Sequence, residues 1–371
     1  VGFAMALQMG LNANYLADDI GVSGFQLGLL EAVRESCGIA ALGFLAMLAG
    51  LAEPTVGVVV LLLFSLGIGG YGLVHSFGGV VLMSVIWSQG LHIWMPLPHS
   101  MGIALAEPGR TGYRLGQMGA AGAVGTGTGL IVAYILTRLG VGIRPLYGLA
   151  AGAGVTGALF CARMPRTLKT PGPRLVFRRR YGLYYLLSFL EGWRKQIFIC
   201  FAGYLLVREY GTPVSTMILL WVTVTAIGYL TSPRVGRLID RIGERRVLVF
   251  YFACLSAFFV SYAFVKIRAV LYAIFVIDSA FFVFATALNT YVGKLAPAAE
   301  RTPTLSMGVA MNHVAAVIMP LVGGILWSTV GYEWAFVTGA CAAVASALIC
   351  LRLPAREDTS VAAQPPRQAS P

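Results

Sequence analysis

Twelve runs of mainly apolar residues, each near the length that crosses a bilayer, dominate this chain of 371 residues. A helix rising about 1.5 Å per residue needs roughly 20 such residues to cross a hydrocarbon core of ~30 Å. The runs fall at about 1 to 16, 24 to 49, 55 to 74, 79 to 105, 115 to 137, 145 to 162, 181 to 207, 214 to 233, 247 to 265, 269 to 293, 303 to 329 and 334 to 351. They are too long for strands and do not alternate. They therefore predict an all-α polytopic membrane protein with twelve transmembrane helices, although Gly and β-branched residues are frequent in them. Only 11% of the residues are charged, less than half the share of about a quarter found in soluble domains. That excludes an ordinary cytosolic enzyme, a disordered protein and a nucleic-acid binder. Cys37, Cys161, Cys200, Cys254, Cys341 and Cys350 all sit inside the runs without CxxC spacing. They read as small packing residues rather than disulfides or metal ligands.

The longest connection, with three Pro, one Gly and seven basic residues, divides the spans six and six. The predicted organisation is an N-terminal six-helix half at 1–162, a basic cytoplasmic linker at 163–180, a C-terminal six-helix half at 181–351 and a disordered cytoplasmic tail at 352–371. With the N-terminus inside, nineteen of the 27 Lys and Arg lie on inner segments, five on outer ones and three within spans. The positive-inside rule then places both termini in the cytoplasm of a cell (cytoplasmic or inner) membrane protein. The net charge of +12 marks topology and contact with anionic membrane lipids, with no nucleic-acid partner. The first run would make a helix of only roughly 24 Å before Asp18 and Asp19, and the chain opens on Val. A missing half-turn or more of helix 1 is therefore expected, and no cleavable signal pattern is present.

Ionisable residues inside spans are costly and face a bundle interior or a water-filled path. Here they occur in only five spans: Glu31, Arg34 and Glu35; His92 and His99; Glu191, Arg194 and Lys195; Asp278; His313. Most lie roughly 14 to 24 Å from the nearer span end, near the midplane. Spans two and seven carry matching triplets, E-x-x-R-E and E-x-x-R-K, whose members share a helix face. One reading confines the pairs Glu31 with Arg34 and Glu191 with Arg194 to packing. The functional reading gives Arg34, Arg194 and Lys195 the task of binding an anionic group or releasing a carboxylate. Glu35, Glu191 and Asp278 become proton carriers whose protonation depends on what faces them. His92 and His313 are either satisfied core residues or further proton carriers. Lacking clustered acids, they give no metal site. Asn312 and Asn289 could bond substrate or neighbouring helices, and Trp87, Trp94, Trp193, Tyr184 and Tyr185 either line a cavity or serve packing.

Between spans eight and nine the chain reads GRLIDRIGERR. This resembles the inner-loop signature of the major facilitator superfamily, G-x-x-x-D-R-x-G-x-R-R, carried here by Gly236, Asp240, Arg241, Gly243, Arg245 and Arg246. With twelve spans in two sixes, the resemblance covers essentially the whole chain. It implies a conformational latch at this loop that stabilises an outward-open arrangement, with spans 1, 4, 7 and 10 lining a cavity and spans 3, 6, 9 and 12 facing lipid. The counterpart loop in the first half, AGLAEPT (49–55), has no Arg, so the latch there is degenerate. Span five is rich in Gly but lacks the Gly-Pro pair resembling the drug/proton antiporter signature. A weak repeat places Arg-Thr before spans five and eleven, in EPGRTG and AERTP, consistent with paired halves.

The expected function is a secondary active transporter of a small solute, working by alternating access and coupled to protons, as a monomer and without cofactor. The alternatives are a non-transporting sensor or assembly protein of the same fold and, on a different principle, a polytopic membrane enzyme. The enzyme reading lacks any HExxH, GxSxG or clustered nucleophile and base.

Overall fold

The computed structural model describes residues 1–48, 50–107, 110–168 and 177–354. Residues 169–176 of the expected linker and 355–371 of the expected tail lie outside the described residues. Among the described residues, nine helices are long and apolar enough to cross a membrane by length and composition. Three more rods, 2–19, Gly24–Met47 and 182–208, hold most of the intramembrane charges and complete twelve. In chain order these are α1 (2–19), α2 (Gly24–Met47), α3 (Glu53–Gly70), α4 (Phe77–Ala104), α5 (Thr111–Arg138), α6 (Ile143–Ala162), α7 (182–208), α8 (Val214–Ile242), α9 (Glu244–Phe264), α10 (Arg268–Leu295), α11 (Ala298–Thr329) and α12 (Tyr332–Cys350). The all-helical reading and the order of the spans hold.

Several boundaries differ from expectation, each for a local reason. The first helix does not stop at Leu16 but runs through a π turn, Tyr15–Asp19. The Asn14 amide makes this possible by donating to Asp18 Oδ2 and to the Thr212 carbonyl, 2.9 Å each. The eighth span extends nine residues past 233. Gly236, Asp240 and Arg241 therefore stand on the last turns of α8, and only Gly243 turns the chain. Its φ of +85° is in the left-handed region that favours glycine. Of the expected inner loop, this one residue is the loop.

Three helices that carry titratable residues within their spans, α4, α7 and α10, are also interrupted. α4 breaks at Met95 and Pro96 between Phe77–Trp94 and Leu97–Ala104. α7 contains a π turn at Phe198–Ala202, and α10 a 3₁₀ turn at Phe282–Ala285. Pro96 accounts for the first break, because it has no N–H to donate to the preceding turn. Such irregular turns within long helices often lie at functional sites.

The first six helices and the last six meet along α2 and α11, with α1 and α5 against α8. At one end this seam is tight. A Cβ on Gly28 would sit 2.1 Å from the Pro320 carbonyl oxygen and 3.0 Å from Gly324 Cα, so the two backbones touch where only glycine fits. One turn outward, Trp327 covers Gly24, stacks on Phe201 and meets Tyr204 edge to face. The Phe25 N–H donates to Ser328 Oγ (2.9 Å), and the Tyr204 hydroxyl donates to the Val22 carbonyl. Toward the other end, where the α2–α3 and α8–α9 connections lie, α2 and α11 part around a cavity.

Candidate functional site

The cavity holds about 450 Å³, within the range of small-molecule sites. Its walls are largely aliphatic, with Ala41, Leu42 and Leu45 of α2 facing Val309 and Ala310 of α11. Polar groups sit at its two ends. His92 and His313 cap it near mid-helix, while Ser100 and Glu53, joined by a 2.7 Å hydrogen bond from the serine hydroxyl, lie beside the mouth. Leu51, Met95 and Val309 are exposed there. The lining comes from α2, α3, α4 and α11, so of the spans expected to form the wall α4 does line this cavity while 1, 7 and 10 do not, and α3, expected to face lipid, joins it. The α2–α11 separation opens this space, so the helices at the seam line it.

The ten expected site residues do not form one ring. They divide into two clusters and a bridge. In the first, the Arg34 guanidinium is shared by Glu31, its ion-pair partner, and by Glu35 Oε1 at 3.0 Å. It lies over the Trp87 ring, 5.4 Å from the centroid. The Arg34 carbonyl accepts from Ser88 Oγ at 2.9 Å, which ties α2 to α4. Ser88 stands one turn before His92, and the His92 Nδ1–H donates to the Ser88 carbonyl at 2.9 Å. From α11, His313 Nδ1 approaches Glu35 Oε2 to 3.3 Å. The two imidazoles meet edge to face with centroids 5.3 Å apart.

The second cluster lies wholly in the last six helices. Arg194 has no exposed surface. Its Nε donates to Glu191 Oε2 at 3.1 Å, and its Nη2 donates to Glu191 Oε1 at 2.5 Å and to the Tyr251 hydroxyl. Tyr251 completes the triangle by donating to Glu191 Oε1 at 3.0 Å. The Phe282 ring, 4.3 Å away at its centroid, covers the guanidinium face, a favourable placement for a desolvated cation. Asp278, equally buried, faces Arg194 Nη1 at 3.7 Å, and among the described residues neither its carboxylate oxygens nor that Nη1 has a hydrogen-bond partner. The bridge is Lys195, whose ammonium donates to Asn312 Oδ1. Gly192 lets the Asn312 backbone close in, since a Cβ there would meet Asn312 Cα at 2.9 Å. Asn289, by contrast, is exposed on α10.

Tyr251 and Ser88 carry roles that the sequence reading did not assign. Tyr251 sits in α9 within the predicted span 247 to 265, which holds no charged residue except Lys266 just beyond its end, so an aromatic there reads as packing. Ser88 had one available signal, its place four residues before His92. The latch residues stand apart from both clusters at the far end of α8. Asp240 is exposed and, among the described residues, has no ion-pair or hydrogen-bond partner. Nearby, Glu244 pairs with Lys294 at 2.7 Å. Glu35, His92 and His313 each present a ligand atom within 4.8 Å of the others'. The expectation of no metal ligands rested on histidines without clustered acids, and the fold removes that premise.

A multi-span helical bundle with a cavity between two groups of six helices, closed at one end and capped by two histidines near mid-helix, defines a polytopic membrane transporter. The family model described as Major Facilitator Superfamily matches residues 184–371. The chain belongs to that superfamily. No curated protein matches it. Solved structures similar to it include a bacterial homolog of the human lysosomal transporter Spinster, inward-facing and occupied, with TM-score 0.71, 14% identity and coverage of 94% of this chain and 93% of that one. The nucleoside transporter NupG has TM-score 0.72 and 15% identity, covering 95% of this chain and 96% of that one. A D-xylose-proton symporter has TM-score 0.70 and 13% identity, covering 96% and 97%. At these identities the likeness speaks for the fold.

Proposed function

We propose that this protein is a secondary active transporter of a small solute, driven by protons and working by alternating access in the cytoplasmic membrane. Both termini are assigned to the cytoplasm on the distribution of basic residues, which makes the open end of the cavity the cytoplasmic one. The observation that carries the reading is the asymmetry of the α2–α11 seam. Gly28 on Pro320 and Gly324 closes one end, while a cavity of about 450 Å³ separates the same two helices at the other. That is the shape of a two-state carrier open to one side. An aliphatic wall under a polar cap suits an amphipathic solute.

The second cluster supports proton coupling. Two fully desolvated carboxylates, Glu191 and Asp278, face a single guanidinium, and a proton neutralises the excess charge. Glu191 is the closely bonded partner of Arg194, so Asp278 is assigned as the carboxylate that exchanges it. Asp240, without a partner among the described residues, agrees with the latch role implied by the family, since an outward-open lock is released when the cytoplasmic side is open. The two six-helix halves, 1–162 and 181–351, are assigned as the rocking bodies.

The test is flux in proteoliposomes under an imposed pH gradient across a panel of small amphipathic solutes. Gradient-dependent flux of at least one solute, abolished by Asp278→Asn, is the expected result. Folded protein that moves none of them under any gradient would overturn the transport reading. Flux untouched by Asp278→Asn would remove Asp278 as the proton carrier.

A further inference from the structure

We propose that Glu35, His92 and His313 form a binding site for a divalent transition-metal ion of the Zn²⁺ or Co²⁺ type, bonded at once to both six-helix groups. The proposal stands apart from the transport reading, because it is read on purified protein whether or not any solute moves.

Four observations converge on it. One ligand atom from each residue lies within 4.8 Å of the other two. The Glu35 Oε2 to His313 Nδ1 separation of 3.3 Å is close to the edge of roughly 3.4 Å that tetrahedral bonds of about 2.0–2.1 Å produce. His313 Nδ1 is buried and, beyond that approach to Glu35, has no hydrogen-bond partner among the described residues, which leaves it available to a metal. His92 is already set in the ligating tautomer. A carbonyl oxygen can only accept, so the 2.9 Å contact to Ser88 places the proton on Nδ1 and leaves the Nε2 lone pair free. Such a backbone anchor on the far nitrogen is the usual support of a metal-bound imidazole.

Gly38 supplies the space. A Cβ there would lie 2.7 Å from His313 Nδ1 and 3.1 Å from His92 Cδ2, the carbon beside Nε2. Those two ring edges therefore converge over one glycine. The composition also fits. Glu31 and Glu35 share the single Arg34 cation, so the triplet has one more carboxylate than cation to offer a metal. The opposing cation, Lys195, is held by Asn312 Oδ1. Two imidazoles and one carboxylate with an open fourth position toward the cavity make a borderline-soft site, suited to zinc, cobalt or nickel rather than magnesium or calcium. Its ligands come from α2 and α4 on one side and α11 on the other, so occupancy staples the seam where the cavity begins.

Chelator-treated full-length protein in detergent is titrated with Co²⁺, with Zn²⁺ in competition. The expected result is one equivalent bound, giving a visible ligand-field band that Zn²⁺ removes. X-ray absorption of the zinc-loaded wild-type protein should show two imidazole ligands and no sulfur. His92→Gln, His313→Gln and Glu35→Gln should each weaken binding about tenfold or more. Gly38→Ala, which keeps all three ligands, should weaken it too by displacing His313. His75→Gln, His99→Gln and Cys37→Ser should leave it unchanged. Absence of stoichiometric binding overturns the proposal, as does a sulfur-ligated spectrum or affinity that follows His75, His99 or Cys37 instead. The absorption spectrum decides the matter even if a substituted protein fails to fold.

Discussion

Arg194 and Asp278 face each other at 3.7 Å with no exposed surface on either side chain, one on α7 and the other on α10. An unpartnered Nη1 opposes two unpartnered carboxylate oxygens. A movement of about 1 Å would bring them into hydrogen-bond range. The pair is thus poised between contact and separation inside the helical group that also holds Glu191 and Tyr251. In a carrier whose helices rock, such a gap is where protonation and conformation can be coupled.

Removing the cation should cost far more than removing the distal carboxylate. Arg194→Met leaves Glu191 and Asp278 buried together without a counter-charge, and a loss of about 3–5 kcal/mol is expected. Asp278→Asn keeps the volume and the Arg194–Glu191 pair and should cost no more than about 1–2 kcal/mol, while ending gradient-driven flux. Thermal unfolding in detergent checks the order. Equal losses would show that Arg194 is stabilised by Asp278 as much as by Glu191.

The tight end of the seam should not accept a methyl group. Gly28→Ala places a Cβ 2.1 Å from the Pro320 carbonyl oxygen, and overpacking of this kind costs about 1–3 kcal/mol. Since only the closed end is affected, the substitution should also shift the protein away from the arrangement described. A cysteine pair introduced across α2 and α11 at that end should cross-link more slowly in the Ala variant. An unchanged rate would argue that the helices can separate there without cost.

Glu300 ties the entry of α7 to the first turn of α11. It receives Arg180, Arg178 at 3.3 Å and the Tyr181 hydroxyl at 2.7 Å. Glu300→Gln should destabilise by roughly 0.5–1.5 kcal/mol, little for the exposed arginines and more for the hydrogen bond at the half-buried carboxylate. Raising salt should narrow the difference between wild type and variant. A salt-independent difference would assign the loss to helix propensity instead.

Solvent access should follow the cavity. In inverted vesicles a membrane-impermeant thiol reagent should label Leu45→Cys and Val309→Cys, while Ala316→Cys, at a position of α11 with no exposed surface, stays unreactive. Right-side-out vesicles should protect the first two. Labelling of both from the opposite face would reverse the assigned orientation.

The helical spans and their order were legible because crossing a bilayer demands runs of a certain length and composition, whatever the helices pack against. The triplets at Glu31 and Glu191 were legible for a related reason, since i, i+3 and i+4 share a face within one helix. Local chemistry beyond that was not. Nothing near Tyr251 marks it as the hydroxyl that closes the Arg194 triangle. The continuation of α8 through Asp240 was hidden as well, because Arg-rich polar residues at a helix end and in a loop have the same composition.

By itself the sequence determined that this chain lives in a membrane, how many times it crosses and which few residues pay a desolvation cost in doing so. These follow from the solvent acting on each segment separately. Only the tertiary structure decided that His313, 221 residues after His92 in the chain, comes to stand against it over Gly38. It alone divided the charged residues into two clusters, closed α2 on α11 at one end and left a cavity at the other. Those outcomes depend on how side chains from distant helices fill a shared space, where one missing Cβ at Gly28 or Gly38 decides whether two elements can touch.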